Sequence, residues 1–274
     1  LYHAASATLN ELAKDAKYLG ANIGYICILH TWGSAMNYHP HIHTIVLGGG
    51  LDDENKWKET GGKFFLPYGV ISKVFRGKYL DELKSLWNDS NLKFHGTAEK
   101  YQNSYRFKEL LDKCYEKNWV TYCKETFNGA QSVINYLGKY THRIAISNHR
   151  IKSMTDTTVT YVVKDYKNEG CWKEKTISGE EFIRRFMMHV PPKRFVRIRH
   201  YGLLSCRNKR KKITHCRNLL GCKKYISTLK NLNAVEMIRV LYHIDVCKCS
   251  SCGGNMVSPR KDKYSSSFRA HMRC

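Results

Sequence analysis

Two apolar runs close together in the chain constrain its fold more than any other feature. Ile23 to Leu29 is an apolar run of strand length that ends at His30, and His41 to Leu47, reading HIHTIVL, is a second. Short apolar runs of this kind, bounded by turn residues, read as strands. A polar Thr-Trp-Gly-Ser turn follows the first run, so the two can pair as neighbours in one sheet. Gly48, Gly49 and Gly50 come next, and glycine's freedom at positive φ suits a sharp exit from the second strand there.

The rest of the chain alternates. Thr8 to Leu19 reads as a short amphipathic helix, and Val70 to Asn88 and Lys100 to Lys117 carry apolar residues at helical spacings of three and four. Trp119 to Cys123 reads as a short strand, and Gly129 to about His142 as a helix bearing Val133, Tyr136, Leu137 and Tyr140. Strands are expected near 157–166 and 171–177, a helix over 180–188 and a strand over 194–201. Long helices between strands that need not be parallel argue for an α+β fold. From Arg207 the sequence turns basic, with RNKRKK at 207–212, which places a boundary near 205: a catalytic domain over 1–205 and a basic C-terminal region over 206–274.

The chain has 46 Lys and Arg against 23 Asp and Glu, a net charge of +23, which points to a polyanionic partner. Cations gain affinity for nucleic acid by displacing condensed counterions. No apolar run approaches the roughly 20 residues of a membrane-spanning helix, and neither a membrane nor a small-molecule substrate is expected. The 11 cysteines are spread through a long chain, unlike a small disulfide scaffold, and the opening segment has no charged leader followed by an apolar stretch. A cytoplasmic protein, on the nucleoid when bound to DNA, is the expectation.

His41 and His43 would project from one face of a strand, where alternate residues point the same way. Two imidazoles on a rigid strand make half of a metal site, and a bound ion can polarise a phosphoryl oxygen; the plainer role is that of strand-surface histidines. Tyr136 and Tyr140 are four residues apart, on one face of a helix. A tyrosine hydroxyl can attack a phosphodiester and conserve the bond energy as phosphotyrosine. Alternatively the pair is a half-buried aromatic stripe.

The segments HPHIHTIVLGGGL, INYLGKYTHRIAISNHRI and RFVRIRHYGLLS, in that order, resemble the two-tyrosine transposases of the insertion-sequence-91 type, within the HUH endonuclease superfamily (His, hydrophobic residue, His). The resemblance runs from about Leu1 to Leu220. It implies that His41 and His43 bind a divalent ion, Mg²⁺ or Mn²⁺, and that Tyr136 and Tyr140 are paired nucleophiles acting on single-stranded DNA at transposon ends and target. It further implies a palm-like antiparallel sheet carrying the histidines, flanked by the tyrosine helix. Family members usually begin with a cysteine-rich zinc-binding region, so relative to them the chain is expected to be truncated. The same chemistry also serves plasmid replication initiators and relaxases, and the fold can persist in a DNA-binding protein without catalysis.

A third metal ligand is His30, eleven residues before His41, a spacing similar to that of the third histidine in HUH relaxases; Gln131 and His39 compete for the role. The plainer task for His30 is to anchor the Thr31-Trp32-Gly33 turn. In the tail, Cys249, Cys252, His271 and Cys274 form C-x2-C and H-x2-C pairs suited to a structural Zn²⁺, with Cys247 able to replace one member. Lys139, His142 and Arg143 beside the tyrosines, and Arg197, Arg199 and His200 before Tyr201, are candidate phosphate contacts. Trp32 can stack on an unpaired base or fill the core.

Overall fold

The computed structural model describes residues 1–61, 66–124, 127, 129–141, 144–165, 168–207, 209–222, 229, 231–249 and 251–256. The chain divides into two compact units, Leu1–Leu220 and Gly221–Cys274. The fold is mixed α+β, with antiparallel sheets flanked by helices.

In the first unit, β1 (Asn22–Trp32) and β2 (Tyr38–Leu51) form a long antiparallel hairpin. With β3 (Trp57–Glu59) and β7 (Ile198–Gly202) they make a four-stranded sheet of order β3-β2-β1-β7. Helix α1 (Tyr2–Lys14) covers one face, burying Leu9, Leu12 and Ala13 against Ile23, Tyr25 and Cys27. Each large apolar side chain buried there contributes on the order of 1.5–3 kcal/mol. Tyr25 is wholly buried, and its hydroxyl donates to the Ser6 carbonyl 3.2 Å away, so the ring's area is gained without stranding a polar atom.

The hairpin is longer than the two apolar runs suggest because its ends are held by other means. Gly48 to Gly50 continue β2 instead of ending it. A Cβ on Gly49 would lie 2.5 Å from the Trp57 ring, and one on Gly50 2.6 Å from the Asn22 carbonyl oxygen, so these glycines permit close approach of neighbouring strands. At the other end, the turn places Met36 at φ +54° with its side chain fully buried. Met36 packs with Tyr161, Val163 and Ala145, and the partly buried Trp32, Phe182 and Phe186 line the same cluster. That second core belongs to a smaller sheet, β4 (Ile151–Met154), β5 (Thr158–Asp165) and β6 (Cys171–Ser178), with α5 (Gly179–Met187), which Ser178 caps by accepting from the Glu181 amide. Buried His189 clamps the turn from the same side, donating from Nε2 to the Met36 carbonyl at 3.1 Å and meeting Thr31 Oγ1 through Nδ1 at 3.1 Å.

Between β3 and the small sheet lie α2 (Tyr68–Asn88), α3 (Ser104–Glu116) and α4 (Ala130–Thr141). The segment 119–123, expected as a strand, has no strand partner: the Trp119 carbonyl accepts from Ser72 Oγ and Thr121 Oγ1 donates to the Tyr68 carbonyl, so it is bound to α2 by side chains. Its alternating apolar residues misread, because Val120 and Tyr122 are exposed. The first helix begins six residues earlier than its apolar spacing suggests and ends at Lys14. Helix α6 (Lys209–Leu219) closes the unit, with Cys216 buried against Leu51 and Leu203. The basic stretch that follows residue 205 therefore opens on a helix packed into the first unit.

In the second unit, α7 (Ala234–Tyr242) starts with a reciprocal capping box between Asn233 and Glu236 and stops at His243, φ +56°. A bridge between Lys248 and Asn255 then folds Cys249 and Cys252 into a tight turn. No helix among the described residues is long and apolar enough to cross a membrane.

Candidate active site

The hairpin register puts His30 of β1 directly opposite His41 of β2, with His43 opposite Ile28. One nitrogen from each of His30, His41 and His43 lies within 4.8 Å of the others. Among the described residues this is the group of ligating side chains able to hold an ion. Gln131 bonds to Asn135 on the exposed side of α4, and His39 contributes its carbonyl to His41, so of the competitors for third ligand only His30 joins the pair.

Helix α4 lies over these rings. Tyr136 Oη is 3.0 Å from His43 Nδ1, the Tyr140 ring is centred 4.2 Å from His43, and the two tyrosine rings are 4.3 Å apart. The i, i+4 spacing thus brings both phenols to one histidine. The C-terminal end of the helix is tied down twice. His30 Nε2 donates to the Tyr140 carbonyl at 2.7 Å, and Arg197 donates to the Thr141 carbonyl. Trp32 stacks on His30 at 4.3 Å and lies under the Arg197 guanidinium at 5.8 Å. Trp32 is therefore part of the wall that orients His30.

Burial drives the electrostatics. It pushes His30 down to about 4 and His43 to about 3, the neighbouring imidazoles adding to the effect on His43, and it lowers His41. All three rings are neutral at pH 7. Burial likewise raises Tyr136 to about 12, so its hydroxyl holds its proton in the resting site. The carbonyls fix the tautomers, since a carbonyl only accepts. His41 Nδ1 donates to the His39 carbonyl at 2.8 Å, leaving Nε2 as an acceptor; His43 Nε2 then donates to it at 3.2 Å, and His43 Nδ1 accepts from Tyr136. His30, donating through Nε2, keeps its lone pair on Nδ1. Neutral, clustered imidazoles with two lone pairs already presented fit a divalent ion, and a proton shift within His43 would supply the third.

The remaining candidates separate. Arg199 lies 4.1 Å over the Tyr2 ring and is exposed. His142 and Arg143, and the side chain of Lys139, lie outside the described residues. So do His271 and Cys274 of the expected zinc set, whereas Cys249 and Cys252 share a turn in which the amides of Cys252 and Ser251 point at the Cys249 sulfur and lower its pKa. His189, which holds the hairpin turn, escapes a reading of the sequence, and Arg197, expected as a phosphate contact, donates to the helix end instead: their partners are backbone carbonyls 153 and 56 residues away, which no local pattern marks.

Residues 24–212 match the family model Y2_Tnp, described as "Putative transposase". The chain is 40% identical over 222 residues to "Putative transposase y4qJ" of Sinorhizobium fredii, covering 81% of this chain and 56% of that protein. It is 27% identical over 251 residues to "Transposase for insertion sequence element IS801" of Pseudomonas savastanoi pv. phaseolicola, covering 90% of this chain and 59% of that protein. The chain thus spans a little over half the length of these relatives. No solved structure matches it.

Proposed function

The chain belongs to the transposases of the insertion-sequence-91 type, and from that membership we propose that it cuts and rejoins single-stranded DNA through phosphotyrosine intermediates formed on Tyr136 and Tyr140. The observation that carries this reading is the 3.0 Å contact between the Tyr136 hydroxyl and His43, one of three clustered neutral histidines.

His30, His41 and His43 would hold a divalent ion, Mg²⁺ or Mn²⁺, which when bound polarises a phosphoryl oxygen and stabilises charge developing there. The chain's own groups do the rest. With the Nε2 lone pair given to the ion, His43 would carry its proton on Nδ1, so that this atom donates to the Tyr136 oxygen and favours the phenolate form. As the Tyr136 proton passes to solvent, the tyrosine oxygen attacks phosphorus, the phosphotyrosine P–O bond forms, the P–O3′ bond breaks, and the departing 3′ oxygen takes up a proton from solvent to become the 3′-hydroxyl. Tyr140, one turn on and against the same imidazole, would serve the second strand end. Arg197 and His30 hold the helix end so that both phenols stay in reach. Lys139, His142, Arg143 and Arg199 would meet strand phosphates. The region from 206 onward would add sequence-independent affinity, with Zn²⁺ on Cys249, Cys252, His271 and Cys274.

The test is a denaturing-gel assay for covalent protein–DNA adducts on oligonucleotides from both ends of the parent element, with Mn²⁺ or with chelator. An adduct requiring metal and mapping to Tyr136 or Tyr140 is expected. Replacing His41 and His43 together by Ala should lower adduct yield by about a hundredfold or more while most DNA binding remains. Adducts at the wild-type rate in chelator would refute the metal assignment.

A further inference from the structure

A second feature of the first unit lies at the far end of β1 from the histidines. A cavity of about 580 Å³ opens there between α1, the loop after β2, and α6. Its floor is apolar, made by the buried Ile23, Leu51 and Leu203. Lys14 enters from α1 and Lys211, Lys212 and His215 from α6, and none of the three lysines has an acidic partner among the described residues. The single acid in the lining, Asp52, is already engaged: one carboxylate oxygen accepts from the Glu54 and Lys56 amides and the other faces Lys58 at 4.0 Å. Lys211 and Lys212 stand on an anchored helix. Cys216 packs α6 onto Leu51 and Leu203, and His215 donates from Nε2 to the Asn55 carbonyl at 2.9 Å, joining α6 to the loop.

We propose that this cavity is a second DNA site, which seats one nucleotide of the strand with its phosphates on Lys14, Lys211 and Lys212 and its base on the apolar floor beside the amides of Asn10, Asn22 and Asn55. An apolar slot rimmed by convergent polar amides and by unpaired cations is the chemistry a nucleotide requires. The cavity begins at Asn22 and the histidine cluster at His30, eight residues apart on one strand, which is roughly 26 Å at about 3.3 Å per residue. A strand held at both points would be gripped several nucleotides from the bond that is cut, so the cavity would set where the nick falls. The inference rests on the reading of the chain as a DNA strand-transferring enzyme, but its binding arm needs no cleavage.

The experiment compares the wild-type chain with Lys14→Gln/Lys211→Gln/Lys212→Gln and with a charge-matched control, Lys84→Gln/Lys93→Gln/Lys108→Gln, whose lysines are exposed elsewhere. Binding of a fluorescein-labelled, mixed-sequence single strand is measured across a salt series, with thermal melts to check folding. For the cavity variant the slope of log affinity against log salt should flatten by about 2, three phosphate contacts at about 0.7 each, and affinity near physiological salt should fall at least tenfold. The control should keep the wild-type slope. Oligonucleotides carrying 5-iodouracil should photocrosslink to peptides containing Asn55 or Lys211. Equal slopes for both variants, or crosslinks confined to other peptides, would overturn the assignment. Failure of every oligonucleotide to form a tyrosine adduct would instead count against the strand-transfer reading, leaving the binding arm to decide the cavity by itself.

Discussion

At the scale of single residues, Tyr136 and Tyr140 differ in what surrounds them, and that difference can be measured. Tyr136 Oη contacts His43 Nδ1, whereas Tyr140 lays its ring on the same imidazole and lends its backbone carbonyl to His30. Substitution by Phe removes only the hydroxyl and keeps the ring packing. Tyr136→Phe should therefore abolish first-strand adducts, Tyr140→Phe should leave them while blocking the second end, and the double variant should form none; peptide mapping of trapped DNA reads the result, and an adduct at neither position would refute the assignment. The histidines bring a pH dependence. In the metal-free fold His30 titrates near 4 and His43 near 3, against about 6.5 in an unfolded chain. The unfolded chain binds more protons between those values, so this contribution to stability is complete above about 6.5 and is lost as pH falls toward 4. In chelator, the urea midpoint should drop between pH 7 and pH 5, and His43→Gln should make the drop shallower. A midpoint equally steep in both proteins would show that the imidazoles are not buried neutral.

Elements are where the sequence was most and least legible. The hairpin could be read because two apolar runs of strand length lie close together, and the tyrosine helix because four apolar or aromatic residues recur at helical spacing; both ends of α4 agree within a residue or so of the expected limits. His30 opposite His41 follows from pairing those two strands, so all three clustered histidines were within reach of a sequence argument. What escaped depended on distant partners. The Gly48 to Gly50 run imitates a strand exit but continues β2, with Gly49 and Gly50 permitting close interstrand contact, and the Trp119 to Cys123 segment alternates like a strand while the groups that bind it sit on α2. The junction of β7 with β1 is a further case. Gly202 has φ +59°, and a Cβ there would lie 1.8 Å from the Ile23 carbonyl oxygen. Gly202→Ala must move one strand as well as adopt a left-handed backbone, so a loss on the order of 3 kcal/mol or more is expected in urea unfolding. A loss below about 1 kcal/mol would mean that the sheet edge yields freely.

For the whole molecule the question is whether the two compact units stand or fall together. The first, Leu1–Leu220, holds the buried clusters around β1 and β5, together with the histidines and tyrosines. Among its described residues the second has one helix, with Val240, Leu241 and Tyr242 exposed, and a cysteine turn closed by one bridge. Units of this length are commonly stapled by a metal or a disulfide. Cys249 is prepared for one, because two amides directed at its sulfur stabilise the thiolate that a metal requires. If zinc supplies that staple through Cys249, Cys252, His271 and Cys274, purified protein should contain about one equivalent of Zn²⁺. Chelation should then make residues after Gly221 sensitive to protease while the melting transition of the first unit stays unchanged. Cys249→Ser should reproduce both effects without any chelator. Protein that contains no zinc, or a tail equally protected with and without chelator, would mean that the second unit is held by something other than a metal.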